Sequence, residues 1–155
     1  MIYPSLSRKD AGPLFYEASR WSDFETMKII LDMFTVSASS TSDAGSVLNY
    51  QSRLDRYTAL HYACRVGNEE VAEFLMEQPR IKCDLVDKDN NTVLYYAITR
   101  RMDDIARKMK IKGVDNTLRN KDGNTLYHVV ARMGSASLLS ILRMRAPRVS
   151  SFGAN

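Results

Sequence analysis

Cysteine is nearly absent, with two among 155 residues. Cys64 and Cys83 cannot build the bridge framework of small secreted domains, and they lack the CxxC spacing of zinc and dithiol sites. A reducing compartment, cytosolic or nuclear, is the expectation. Long apolar runs are missing too. No stretch of about 18 apolar residues is present, so no helical membrane span is expected, and the opening MIYPSLSRKDAG has no apolar core of the signal-peptide kind. Histidine is scarce, at two, and there is no Gly-rich phosphate loop, GxSxG or HExxH. His61 and Cys64 stand three apart on one predicted helix, which would allow a thiol nucleophile with an imidazole base. A zinc site from these residues with His128 lacks a fourth ligand of sensible spacing. Both histidines fall on a repeating structural position described below, so neither an enzyme, a metal, a cofactor nor a small-molecule substrate is predicted.

Charge excludes less. Lysine and arginine number 22 against 18 aspartates and glutamates, giving +4 and a pI near 9.1. The two signs are interspersed, as on an ordinary solvated surface. The segment ITRRMDDIARKMKIK, residues 98–112, carries six basic residues. It supports a nucleic-acid or membrane patch as a lesser alternative, although Asp103 and Asp104 partly neutralise it.

What is present is a period. DRYTALHYACRVGN (55–68), DNNTVLYYAITRRM (89–102) and DGNTLYHVVARMGS (122–135) align, each with an Asp three positions before a Thr. Thr58, Thr92 and Thr125 are 34 and then 33 residues apart. Thirteen and seventeen positions after them come Val71, Ile105, Leu138 and Leu75, Met109, Leu142, a recurrence that keeps one helix face apolar in every unit. A more degenerate unit lies upstream in GPLFYEASRWSDFETMKIILDMF, residues 12–34. The Ser-rich stretch 36–46 reads as an inserted surface loop.

The motifs TALHYA, TVLYYA and TLYHVV at this period resemble the T-P-L-H-x-A signature of ankyrin repeats. The expected fold is all-α, an α-solenoid of about four helix-turn-helix units with short β-hairpin loops. The expected limits are an extension at 1–11, repeats at about 12–35, 55–87, 88–120 and 121–147 within a domain at 12–147, and a tail at 148–155. Thr58, Thr92 and Thr125 would cap the first helices, His61 and His128 would hydrogen-bond within and between units, and Gly67 and Gly134 would turn left-handed between helices. Tyr95 replaces the histidine in the third unit; Arg101 takes its glycine position and Lys108 the position of Phe74 and Ile141, so that unit is predicted to be the least stable. For a protein partner, the loop tips offer Asp55, Tyr57, Lys88, Asp89, Asn91, Lys121, Asp122 and Asn124. The first-helix ends add Arg65, Arg100, Arg132 and Met133.

A narrower resemblance is present. VLNYQSRLDRYTALHYA (47–63), FETMKIILDMF, and residues 105–142 with their G-x-D-x-x-L-R-x-x-x-G-N-T run are similar to units of the inhibitor-of-NF-κB (IκB) proteins. The resemblance implies binding of Rel/NF-κB transcription factors, masking of their nuclear-localisation segment and blockage of DNA access, in cytoplasm or nucleus. Asp55, Asp89 and Asp122 would then attract the basic residues of that segment. A short chain of this type, with neither a phosphodegron nor an acidic PEST tail, also resembles the vankyrins of polydnaviruses, which implies immune suppression in a host cell. A generic ankyrin scaffold for an unrelated protein is the alternative.

Overall fold

The computed structural model describes residues 6–36 and 42–145. Within them lie nine helices: α1 (Arg8–Arg20), α2 (Phe24–Val36), α3 (Ser42–Leu48), α4 (Ala59–Val66), α5 (Glu69–Met76), α6 (Val93–Thr99), α7 (Asp103–Ile111), α8 (Leu126–Met133) and α9 (Ala136–Arg143). The pairs α1/α2, α4/α5, α6/α7 and α8/α9 each pack together, and the first helices α1, α4, α6 and α8 line up side by side. No single pair could bury its apolar stripe alone, and stacking makes one continuous core. Leu60, Leu75, Leu94, Ile98, Ile105, Met109, Leu138, Ile141 and Leu142 are fully buried in it. The arrangement is the all-α solenoid expected.

The tips are tighter than hairpins. The described residues contain no strand, only an isolated antiparallel bridge between Val86 and Thr92. Each tip closes through backbone bonds, Asp87 N–H to the Asn91 carbonyl (3.0 Å) and Asn120 N–H to the Asn124 carbonyl (2.9 Å). Its turn residue has positive φ: Arg56 (58°), Asn90 (62°) and Gly123 (78°). A second positive series joins the helices of each pair: Ser22 (58°), Gly67 (78°), Arg101 (57°) and Gly134 (63°).

Two boundaries differ from those read in the sequence. The first unit begins at α1's Arg8, inside the stretch taken as an extension, where Ser7 caps the helix. The segment read as a loop at 36–46 contains the start of α3, whose Ala44, Val47 and Leu48 are buried against α1 and α2. Its residues 37–41, and the tail at 148–155, lie outside the described residues. Beside α3, a Cβ on Gly12 would come within 2.7 Å of the Tyr50 ring, so only glycine permits this approach.

The third unit has weak local signals. Thr58 Oγ1 accepts from the His61 backbone (3.2 Å) while the Thr58 N–H donates to His61 Nδ1 (3.3 Å), and Thr125 with His128 repeats the latter bond (3.1 Å). Thr92 makes no side-chain cap, and Tyr95, with no ring nitrogen, cannot accept from the threonine N–H as His61 and His128 do. The second helices of the other units are capped by Asp23, Asn68 and Ser135. That of the third has Met102, which gives up the cap and is buried in the core. Arg101 adds the cost of a non-glycine left-handed residue. Arg101→Gly is therefore expected to raise stability by about 0.5–1 kcal/mol, less than the left-handed penalty because glycine gains entropy on unfolding. Urea titration of the two proteins measures it, and no gain would show that Arg101 is unstrained.

A candidate groove on the first helices

The tip aspartates do not all stand free. Lys88 Nζ lies 2.8 Å from Asp55 Oδ1, and Lys121 Nζ lies 3.8 Å from Asp89 Oδ1. The backbone joins the same tips, Lys88 N–H to the Asp55 carbonyl (3.0 Å) and Lys121 N–H to the Asp89 carbonyl (2.8 Å). Asp122 is exposed and has no ion pair among the described residues. The acidic row expected to attract a basic segment is thus answered by lysine at two of its three positions.

Other tip residues serve the scaffold. The Asn91 N–H donates to Asp87 Oδ1 (3.0 Å), the Asn124 N–H to Asn120 Oδ1 (3.0 Å), and the Asn91 carbonyl lies 3.4 Å from His61 Nε2. Tyr57 is buried, stacked on His61 and edge-on to Tyr96. Burial withholds the Tyr57 ring from a partner, whereas the bonds of Asn91 and Asn124 use their backbone and leave their half-buried side chains uncommitted. At the helix ends Arg65, Arg100 and Arg132 are exposed and Met133 is half-buried against the core.

Beneath the first tip lies a cleft of about 410 Å³ between α1, residues 50–57 and α4. Tyr16 stands edge-on to both Tyr50 (6.4 Å between centroids) and Tyr62 (6.1 Å). Burial raises the Tyr16 phenol above its ordinary value. The Arg20 guanidinium lies over the Tyr62 ring at 5.3 Å and pairs with Glu17 at 3.0 Å; Arg65 lies over Tyr57 at 5.5 Å. Leu54 stands at the rim, 87% exposed. Tyrosine walls and arginines are the composition of binding hot spots, and the bare leucine adds apolar area beside them. Sequence reasoning picked out Asp55, Tyr57 and Arg65 here and missed Tyr16, Tyr50, Tyr62, Arg20 and Leu54. The available signal was Leu54 itself, which stands where the other two tips have Lys88 and Lys121.

The alternatives weighed in the sequence meet specific obstacles. Burial drives the Cys64 thiol far above its ordinary value and pulls His61 down to about 4, while His61 Nδ1 lies 2.8 Å from Thr58 Oγ1. This thiol is not set up to ionise. No group of three or more His, Cys, Asp or Glu among the described residues could hold a metal. In the basic stretch 98–112, Arg107 pairs with Asp104 (3.0 Å) and Lys108 with Glu73 (3.1 Å). The Arg100 Nε–H donates to the Arg65 carbonyl (2.7 Å), and Lys110 is buried. Among the described residues no helix is long and apolar enough to cross a membrane.

Comparison with known proteins agrees with the geometry. A family model described as ankyrin repeats in three copies matches residues 14–120. An ankyrin repeat-containing protein of Schizosaccharomyces pombe is 34% identical over 98 residues, 61% of this chain and 42% of that protein. The E3 ubiquitin-protein ligase KEG of Arabidopsis thaliana is 32% identical over 114 residues, 72% of this chain and 7% of the ligase. The chain thus spans less than half the length of either relative. Helix pairs at a 33–34-residue period, tips of positive φ and the family match together place this chain in the ankyrin-repeat family, whose units are as a rule non-catalytic surfaces for protein–protein interaction.

Proposed function

We propose that the protein is an interaction scaffold that seats a protein partner on its first helices, centred on the cleft between the first two units. The observation that carries this is the cleft itself, where tyrosines, ordered arginines and the bare Leu54 converge. An 87%-exposed leucine contributes nothing to the core, and it supplies apolar area for a partner to cover. Leu54→Asp is expected to lower capture of the cognate partner at least tenfold, in affinity purification from the source cell, with the helical circular dichroism signal unchanged. Undiminished capture would remove the cleft from the interface.

A Rel/NF-κB-type transcription factor is the finer reading, and the IκB-like residues at 47–63 and 105–142 support it. In that reading the chain would act as an inhibitor of nuclear entry and DNA binding. Asp89→Lys with Asp122→Lys would weaken a complex with a Rel-homology domain, most of the effect coming from Asp122, since Asp89 already faces Lys121. Equal binding by the double variant would take the tips out of that contact.

A further inference from the structure

Charge on the first-helix face is matched unevenly. The tip carboxylates Asp55 and Asp89 are held by Lys88 and Lys121, and Glu17 is held by Arg20. The arginines at the lower ends of the next three first helices are not matched in this way. Arg65 and Arg132 stand two residues before the left-handed Gly67 and Gly134, exposed and without an ion pair among the described residues. In the third unit Arg100 takes over from Thr99. It commits Nε to the Arg65 carbonyl at 2.7 Å and keeps its two terminal nitrogens for another acceptor. Because α4, α6 and α8 pack side by side, these arginines form a row, one per unit. The Arg65 guanidinium, a planar fork with its N–H donors along one edge, lies over the Tyr57 ring at 5.5 Å. Such an edge binds a carboxylate through two parallel hydrogen bonds.

Resting on the reading of this face as the docking surface, we propose that the partner presents an extended acidic peptide segment, its carboxylates along Arg65, Arg100 and Arg132 and an apolar side chain in the tyrosine-lined cleft against Leu54. The spacing suits this chemistry. Packed helices lie about 8–10 Å apart. A polyproline-II strand advances about 3.1 Å per residue and returns to one face every third residue. A carboxylate at every third position therefore meets the arginines of successive units. A nucleic-acid strand fits less well, because its uniform negative charge would also run over Asp122, which is exposed and has no ion pair among the described residues.

Panning displayed random dodecapeptides against the full chain tests the proposal. The expected enriched class carries Asp or Glu at three-residue spacing with a leucine or aromatic residue towards one end. A fluorescein-labelled peptide of that class is expected to lose at least tenfold in affinity when Arg65→Glu and Arg132→Glu are combined. It should also bind at least tenfold more tightly than a single-stranded oligonucleotide at the same salt. Both arginines are exposed, so the double variant should keep its helical signal. If it does not fold, Arg132→Glu alone provides the reading, with a smaller loss. Enrichment of basic or uncharged peptides, no enriched class, affinity indifferent to the reversal, or tighter binding of the oligonucleotide would each overturn the acidic segment. If it falls while Leu54→Asp still releases the native partner, the docking surface stands and only the chemistry of its occupant is wrong.

Discussion

Asp87→Ala is expected to lower the free energy of unfolding by about 3 kcal/mol. The Asp87 carboxylate is 2% exposed and accepts from the Asp89 N–H (2.8 Å), the Asn91 N–H (3.0 Å) and the Tyr96 hydroxyl (2.5 Å). Alanine would leave two backbone donors without an acceptor and reduce the Tyr96 phenol to its longer contact with the Tyr57 hydroxyl (3.3 Å), and each orphan costs about 1–3 kcal/mol before relaxation. Asp87→Asn should cost much less, about 1 kcal/mol, because an amide oxygen can take both backbone bonds. The next unit shows this. There Asn120 accepts from the Asp122 and Asn124 N–H groups, both at 3.0 Å, and Val129 stands where the third unit has Tyr96. Urea titration of the three proteins decides the matter. An asparagine variant as damaged as the alanine one would show that the Tyr96 bond, and not the turn, carries the effect.

Acidification from pH 6.5 to about 4 is expected to cost the fold about 3 kcal/mol through His61. Burial pulls this imidazole from 6.5 down to about 4, outweighing Asp87 and the Asn91 and Leu85 carbonyls, which favour the charged form. Across that window the folded ring stays neutral while the unfolded ring takes up a proton. The unfolded chain then binds more protons, so stability is complete above 6.5 and declines as pH falls. His61→Gln should be less stable at neutral pH, because the capping bonds with Thr58 change, yet should lose this slope. A slope of undiminished steepness in that variant would assign the acid sensitivity to the carboxylates.

Much of the fold was legible because its signals repeat. Thr58, Thr92 and Thr125 mark the first helices, and Arg101 was readable as a left-handed residue from its alignment with Gly67 and Gly134. The α3 helix was hidden because its apolar positions, Ala44, Val47 and Leu48, are too few to set a period beside a serine-rich run. The groove was legible only in part. Asp55 and Asp89 stood out as charged tips, but their neutralisation depends on which tip lies beside which. The lysine just before each following aspartate, Lys88 and Lys121, was the available hint. The tyrosine cleft was missed because Tyr16 belongs to the degenerate first unit, where no alignment separates wall from core, and because Leu54 looks like any apolar residue until its exposure is known.

The joints between tips have a consequence for how such a molecule grows. Lys88 to Asp55 and Lys121 to Asp89 are made by the same two backbone atoms and closed by the same pair of side-chain types. A duplicated copy of the 88–120 stretch, spliced in behind the original, would offer matching ends on both sides. Lengthening by tandem copying would then need no new fastening, and the arginine row would lengthen by one rung with every copy.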